Sequence, residues 1–281
     1  MPWWSPLAKG LSYFPFFFLY GLSNLIAFAL QTLGYRRKVI ENNLALAFPN
    51  MGIDEMRKTT TTFYKHVADI MVESIKSLSI SPRALRKRVR MKHPELFEAL
   101  HKEKKGVMLV MGHYANFEWV ALAMPLLVPH PTFAVYGRIK NPNVNHWVVR
   151  LRERFGLKLF QMKDTYDFML NQKTEAPLYV FMADQAPHKG KIKYRAPFFN
   201  IPTPTHLGAE KLAKTCDLAV VFIHVERVKR GHYEITPKLL FDNPQNTEEY
   251  QITNAHVAEL EQLIRQRPGH WLWSHKRWKN L

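Results

Sequence analysis

Val107-Met108-Leu109-Val110-Met111-Gly112-His113-Tyr114-Ala115-Asn116-Phe117-Glu118 runs from five apolar residues into a glycine, a histidine and then a carboxylate. An apolar run with no alternation reads as a strand buried on both faces, the pattern of a parallel sheet covered on both sides. Gly112 supplies a turn, and the residues from Asn116 onward are amphipathic and read as a helix. In α/β sheets ligands bind at the carboxyl ends of strands, which is where His113 falls. Within one regular helix, His113 and Glu118 would lie roughly 140° apart and could not touch. They meet only if His113 sits in the turn and Glu118 in the first turns of the helix. Glu118 would then accept the imidazole N–H, fix the tautomer and stabilise the imidazolium, as the acid of a catalytic triad does. On spacing alone the same residues also read as a surface histidine and a helix-face glutamate.

The rest of the chain extends this pattern. Strands are expected at 107–111, 132–136, 178–183, 219–225 and 233–236. Helices are expected at 116–127, 144–155, 166–172, 206–214 and 252–265. Strands alternating with helices imply a parallel or mixed sheet covered on both faces, an α/β fold. Before residue 105 the pattern is helical, with apolar residues at three- and four-residue steps over 41–47 and 56–80. The stretch Pro197 to Pro204 reads as a loop. No internal repeat, low-complexity tract or long linker interrupts the chain.

Composition narrows the partners. The chain of 281 residues is 47% hydrophobic, and 40 Lys plus Arg against 23 Asp plus Glu give a formal charge of +17. Such a surface favours an anionic partner: nucleic acid, anionic lipid or an acidic protein. Cys216 is the single cysteine, so no intrachain disulfide forms and a reducing compartment fits. Between Lys9 and Arg36 there is no charged residue. About 20 apolar residues span a bilayer core, Trp3, Trp4 and Tyr35 suit its interfaces, and Arg36-Arg37-Lys38 places the following domain in the cytoplasm by the positive-inside rule. The segment lacks a small-residue cleavage site, which argues against a signal peptide. Pro15 and Asn24 fit a span poorly, so a hairpin or an interfacial helix is the competing reading.

Other groups carry chemistry or mimic it. Arg83, Arg86, Lys87, Arg88, Arg90 and Lys92 form a basic run, read either as a solvated face or as a contact with lipid head groups or an acidic carrier protein. Asp184-Gln185 follows the apolar run 178–183, again at a strand's carboxyl end. Asp184 and His188 are four apart, but no further ligand motif completes a metal site. Of Arg150, Arg152 and Arg154, one directed inward could hold an oxyanion. Trp271-Leu272-Trp273-Ser274-His275-Lys276-Arg277-Trp278-Lys279 mixes aromatics with cations, and reads as a nucleic-acid stacking surface, an interfacial membrane belt or a packed tail. No G-x-S-x-G elbow is present, and Cys216, between Thr215 and Asp217, reads as packing rather than as a nucleophile.

Taken together, these blocks resemble the bacterial lipid A biosynthesis acyltransferases, the late enzymes of lauroyl or myristoyl type that add secondary acyl chains to lipid A precursors. The resemblance covers nearly the whole chain. It runs through Arg37, Asn43-Leu44, Phe48-Pro49, the His113 to Glu118 core, Asn141-Pro142, Asp184-Gln185, the Phe198-Phe199 to Thr205 segment, and the Trp-x-Trp-x-His-x-Arg-Trp tail at Trp271 to Trp278. The histidine core is shared with glycerolipid acyltransferases; the ordered set with its tail is more specific.

The resemblance implies an αβα sandwich of glycerolipid-acyltransferase type with an N-terminal membrane-anchoring helix. The anchor would occupy 1–35 and a cytoplasmic acyltransferase domain 36–281, at the cell inner membrane. It implies an acyl-carrier-protein thioester as donor and a hydroxyl of a lipid A precursor as acceptor, with no metal, cofactor or nucleic acid. His113 and Glu118 map onto the family's catalytic dyad, and Arg152 is the best positional match to an active-site arginine. Arg154 follows closely, Asp184 falls on the family's acidic position after the central strand, and Asn116 and Gln185 complete the candidate substrate contacts. Gly137 stands where the family often has an arginine, so no role carries over to Arg138. Transfer to another membrane glycolipid or an aminolipid, and coenzyme A as donor, remain alternatives. A membrane-tethered basic scaffold or nucleic-acid-binding protein is the alternative of a different class, without an RRM, zinc-finger or helix-turn-helix signature to support it.

Overall fold

The computed structural model describes residues 2–279. The chain begins with helices α1 (Ser5–Ser12), α2 (Phe16–Thr32), α3 (Arg37–Ala47), α4 (Ile53–Lys76) and α5 (Pro82–Arg88). Strand β1 (Val89–Met91), α6 (Glu95–Lys102), β2 (Val107–Met111), α7 (Phe117–Leu127), β3 (Thr132–Tyr136), α8 (Pro142–Arg152) and β4 (Lys158–Gln161) follow. Next come α9 (Thr165–Leu170), β5 (Leu178–Met182), β6 (Arg195–Phe198), β7 (Ile201–Pro204), α10 (Gly208–Thr215), β8 (Ala219–Lys229), β9 (His232–Phe241) and α11 (Gln251–Gln266).

Seven strands form one sheet in the order β1-β9-β8-β2-β5-β3-β4. Every pairing in it is parallel except β8 with β9. Successive side chains of a strand point to opposite faces, and β2 uses both. Val107, Leu109 and Met111 join a core packed by α4, α7 and α11, while Met108 and Val110 join a second core packed by α9 and α10. This is why 107–111 carries no polar alternation. The stretch expected to be a loop at Pro197 to Pro204 is largely the hairpin β6–β7. Its turn residues Phe199 and Asn200 both take positive φ, 55° and 60°, as a tight two-residue hairpin turn requires. Its prolines are tolerated because this small sheet has two strands and therefore only edges.

The N-terminal segment expected to be an anchor is helical, and α2 and α3 reach the length and apolarity of a span only as a bent pair. No single described helix is long and apolar enough to cross a membrane, and α2 and α3 meet at a bend of 84°. The bend follows from Gly34 and Arg36, both at positive φ, 61° and 52°. One face of α2 is committed to the domain: Leu19, Ser23 and Ala27 are buried. Ser23 Oγ donates to Asp69 (2.6 Å), Tyr20 Oη donates to Glu73 (2.8 Å), and Asn24 Oδ1 accepts from Arg230 (2.9 Å). The opposite face leaves Phe17, Leu25, Phe28 and Leu33 exposed.

The basic run is only partly a solvated face. Arg88 stacks on Phe16 with its guanidinium carbon 3.4 Å from the ring centre and donates to the Gly231 carbonyl (3.0 Å), whereas Arg86, Lys87 and Arg90 are exposed.

Glu73, fully buried on α4, ties these parts together. Its carboxylate accepts hydrogen bonds from Tyr20, Tyr233 and Asn116. Burial pushes its pKa up, and the three donors oppose that shift. Glu73→Ala leaves those donors buried without an acceptor, at roughly 1–3 kcal/mol each. Urea unfolding of that variant is expected to show a loss of about 3 kcal/mol or more; a loss under 1 kcal/mol would mean the network does not hold the fold.

Candidate active site

His113 and Asp184 are 71 residues apart, yet the sheet delivers both to one place. β2 and β5 pair in parallel with Met111 opposite Met182. Each strand then continues by two residues, to His113 and to Asp184, at the same register and on the carboxyl edge. Gly112 makes room: a Cβ there would lie 2.6 Å from the Leu260 side chain and 3.2 Å from Asp184 Oδ2. The turn is completed by Ala115 at φ 50°. It is held from the C-terminal tail, where Ala115 N–H donates to the His270 carbonyl (3.0 Å) and Leu272 N–H to the His113 carbonyl (3.1 Å).

The imidazole Nδ1 lies 2.6 Å from Asp184 Oδ1. Asp184 Oδ2 accepts from the His113 backbone N–H (2.8 Å) and from Trp271 Nε1 (2.8 Å). A carboxylate in that position makes Nδ1 the protonated nitrogen and leaves the lone pair on Nε2. Nε2 has the Gln185 amide nitrogen 3.4 Å away. The Asp184 side chain is 3% exposed and that of His113 16%. Burial disfavours the imidazolium, but the Asp184 charge and hydrogen bond outweigh it and raise the His113 pKa above its ordinary value. Burial would likewise raise Asp184, but the His113 charge, the hydrogen bond to it and the Trp271 donor hold its carboxyl well below the usual range.

The orienting carboxylate on Nδ1 is therefore Asp184, where Glu118 was expected. Glu118 sits in the first turn of α7 and is bound by Arg152 from the end of α8, with Arg152 Nε 3.0 Å from Glu118 Oε2. The pair stands beside the imidazole, whose charge feels both groups. Side-chain exposures of 32% for Arg152 and 26% for Glu118 keep the pair at the mouth of the site. Phe117 lines the same mouth, edge-on to the imidazole at 4.8 Å between ring centres.

A family model described as bacterial lipid A biosynthesis acyltransferase matches residues 6–280. The chain belongs to this family. It is accordingly an acyltransferase, and the seven-stranded sheet with its helical layers is the scaffold on which this member of the lipid A acyltransferases carries His113. A comparison with curated proteins gave no match.

Within this acyltransferase, His113, Asp184, Gln185, Glu118 and Arg152 are brought together. Asn116 and Arg154 are engaged within the fold. Asn116 is fully buried; its Oδ1 caps α7 by accepting from Trp119 N–H (2.9 Å), and its amide nitrogen donates to Glu73. Arg154 donates to the Ser77 and Ile80 carbonyls just past α4. Asn116 is thus part of the buried support of the catalytic turn, while Arg154 is exposed and anchored to the end of α4. Among the described residues no group of three or more His, Cys, Asp or Glu could hold a metal ion. Both Asp184 oxygens are already engaged, and His188 is exposed.

The tail contributes what spacing could not show. Besides Trp271, His275 Nε2 accepts from Ala186 N–H (3.1 Å). Arg277, 2% exposed, donates to the Pro204 carbonyl (2.7 Å). Burial lowers its pKa to about 10, and Asp184 acts in the opposite direction. The aromatic and cationic residues that resemble a nucleic-acid surface are thus largely a packed support for Asp184 and the loop after it.

Proposed function

We propose that this acyltransferase moves a fatty acyl chain from an acyl-carrier-protein thioester to a hydroxyl of a lipid A precursor, with His113 Nε2 as general base. The observation that carries the reading is the Asp184 bond to Nδ1, because it leaves Nε2 as the unprotonated, basic nitrogen. A hydroxyl is a poor nucleophile near neutral pH. As its oxygen bonds to the thioester carbonyl carbon, its proton passes to Nε2, and Asp184 stabilises the imidazolium that forms. Negative charge develops on the carbonyl oxygen. Arg152 spends part of its five-donor fork on Glu118, and its remaining N–H groups are suited to that oxyanion. Glu118 then acts by placing Arg152 rather than by holding the imidazole. Collapse of the tetrahedral intermediate breaks the C–S bond. The departing sulfur takes the proton from His113, which returns to its starting state, and the products are an ester and a free thiol.

The test is a purified assay with a radiolabelled acyl-carrier thioester and a lipid A precursor in detergent. Label recovered in an ester on the glycolipid supports the reading. Label retained on the protein, or lost only to water, contradicts it.

The same reading places the enzyme at the cytoplasmic face of the inner membrane, lying on it through α1 and α2. Leu7, Tyr13, Phe17, Leu25, Phe28 and Leu33 are exposed there, apolar side chains of the kind an interfacial helix buries at the head-group boundary. Arg86 and Lys87 stand exposed on α5, next to Arg88, which stacks on Phe16 of α2. Each such cation is worth about 1 kcal/mol at an anionic bilayer. The arrangement also keeps the acceptor's membrane near the chemistry, since Tyr20 of α2 reaches Asn116 of the catalytic turn through Glu73. Replacing Phe17, Leu25 and Phe28 by serine is expected to lower partition onto anionic vesicles at least tenfold, since burying each side chain is worth about 1.5–3 kcal/mol. The melting curve should stay unchanged. Undiminished vesicle binding by the triple variant would move the docking face elsewhere.

A further inference from the structure

Three loops leave the carboxyl edge of the sheet and line an open cleft of about 420 Å³. Arg138 comes from the loop after β3, Gln161 and Lys163 from the end of β4 and just beyond it, and His188 and Lys191 from the loop after β5; Met162 completes the wall. In the strand order β2-β5-β3-β4 the loop after β5 lies next to His113, and those after β3 and β4 follow two and three strands away on the same edge. The loop after β5 serves both places. Asp184 and Gln185 meet the imidazole, and His188 lies three residues further on. An extended chain spans at most about 3.6 Å per residue, so the His188 backbone lies within about 11 Å of Gln185.

The charge of the cleft is one-sided. No carboxylate lines it. Arg138 and Lys191 make no ion pair among the described residues, and Lys163 reaches only Asp164, at 4.0 Å on the exposed side. Three cations from three loops, one of them a planar guanidinium fork, suit an anion with several terminal oxygens and more than one charge. A single carboxylate would satisfy the arginine and leave the lysines unused.

We propose that this cleft is a phosphate subsite, seating a phosphate monoester or diester of the substrates while His113 works on the reacting hydroxyl and thioester. The assignment rests on the acyl-transfer reading above for its purpose, but not for its chemistry. Two sources carry this group: a phosphate on the glycolipid headgroup, and the phosphodiester of the carrier's prosthetic arm.

The test uses the full chain and the double variant Arg138→Gln, Lys191→Gln, whose side chains are exposed and lie outside the catalytic group. Inorganic pyrophosphate is the probe, titrated calorimetrically at constant ionic strength. A charge-assisted hydrogen bond is worth more than the tenfold step in affinity, so the variant is expected to bind pyrophosphate at least tenfold more weakly. Binding as tight as wild type overturns the subsite. The second measurement is steady-state transfer to phosphorylated and to enzymatically dephosphorylated acceptor. A roughly tenfold higher KM for phosphorylated acceptor alone, with kcat within about twofold, assigns the cleft to the headgroup. A raised KM for the carrier thioester alone assigns it to the prosthetic arm. If pyrophosphate binding falls and neither KM moves, the cleft is an adventitious anion site and the proposal fails. If wild type transfers no acyl chain to glycolipid, the reading of the reaction fails, while the pyrophosphate titration still decides whether the cleft binds phosphate.

Discussion

His113→Ala is expected to lower kcat/KM for acyl transfer by about 10²–10⁴, the range for loss of a positioned general base. The fold should survive, because the contact that the His113 backbone N–H makes with Asp184 Oδ2 does not depend on the imidazole. Purified variant with an unchanged melting curve and no turnover is the expected outcome. A folded variant with near-normal turnover would remove His113 from the chemistry.

Asp184→Asn should be nearly as damaging, for a reason specific to this site. Two donors, the His113 backbone N–H and Trp271 Nε1, converge on Oδ2. An asparagine must therefore put its carbonyl oxygen there and turn its amide nitrogen toward Nδ1. That nitrogen donates, so Nδ1 becomes the acceptor and the imidazole proton moves to Nε2, where the base is needed. The expected loss in kcat is about 10²–10⁴, as for the corresponding change in a serine-protease triad, which sits at the upper end of that range. Glu118→Gln should cost less. It keeps the imidazole tautomer and weakens only the hold on Arg152. The two variants assayed together decide which carboxylate orients the base; a Glu118→Gln defect exceeding that of Asp184→Asn would reverse the assignment.

Much of the scaffold is legible in the residues. The unbroken apolar run at Val107 to Met111 could only be a strand with both faces covered, and β2 feeds both cores. The edge strands were harder to see. β4 carries Lys158 and Gln161 around a single buried residue, Phe160, and β1 is three residues long and lies inside the basic run. Charge at short edges is how sheets avoid pairing with another chain, and it erases the hydrophobic signal.

The site shows the limit of spacing more sharply. Glu118 is close to His113 in sequence and so attracts the orienting role. Asp184 holds it only because Met111 and Met182 are in register, a fact of strand pairing. One signal was present: both His113 and Asp184 stand at the carboxyl end of an unbroken apolar run. On α2, the absence of charge suggested a bilayer span. Tyr20, Ser23 and Asn24, at steps of three and four, mark a polar stripe that binds Glu73, Asp69 and Arg230 instead. Apolar content alone does not distinguish a helix crossing a bilayer from one lying on it.

The claim that Asp184 holds His113 with Nε2 as its basic nitrogen is tested most directly by nitrogen NMR on protein carrying labelled histidine. The His113 signals can be assigned by their loss in His113→Ala among the 13 histidines. The expected result is a neutral imidazole protonated at Nδ1 and titrating above the ordinary histidine value. Asp184→Asn should move the proton to Nε2 and lower the pKa, because burial then acts without the opposing charge, and Glu118→Gln should preserve the Nδ1–H form. A wild-type imidazole protonated at Nε2, or a tautomer that survives Asp184→Asn and changes in Glu118→Gln, would contradict the account.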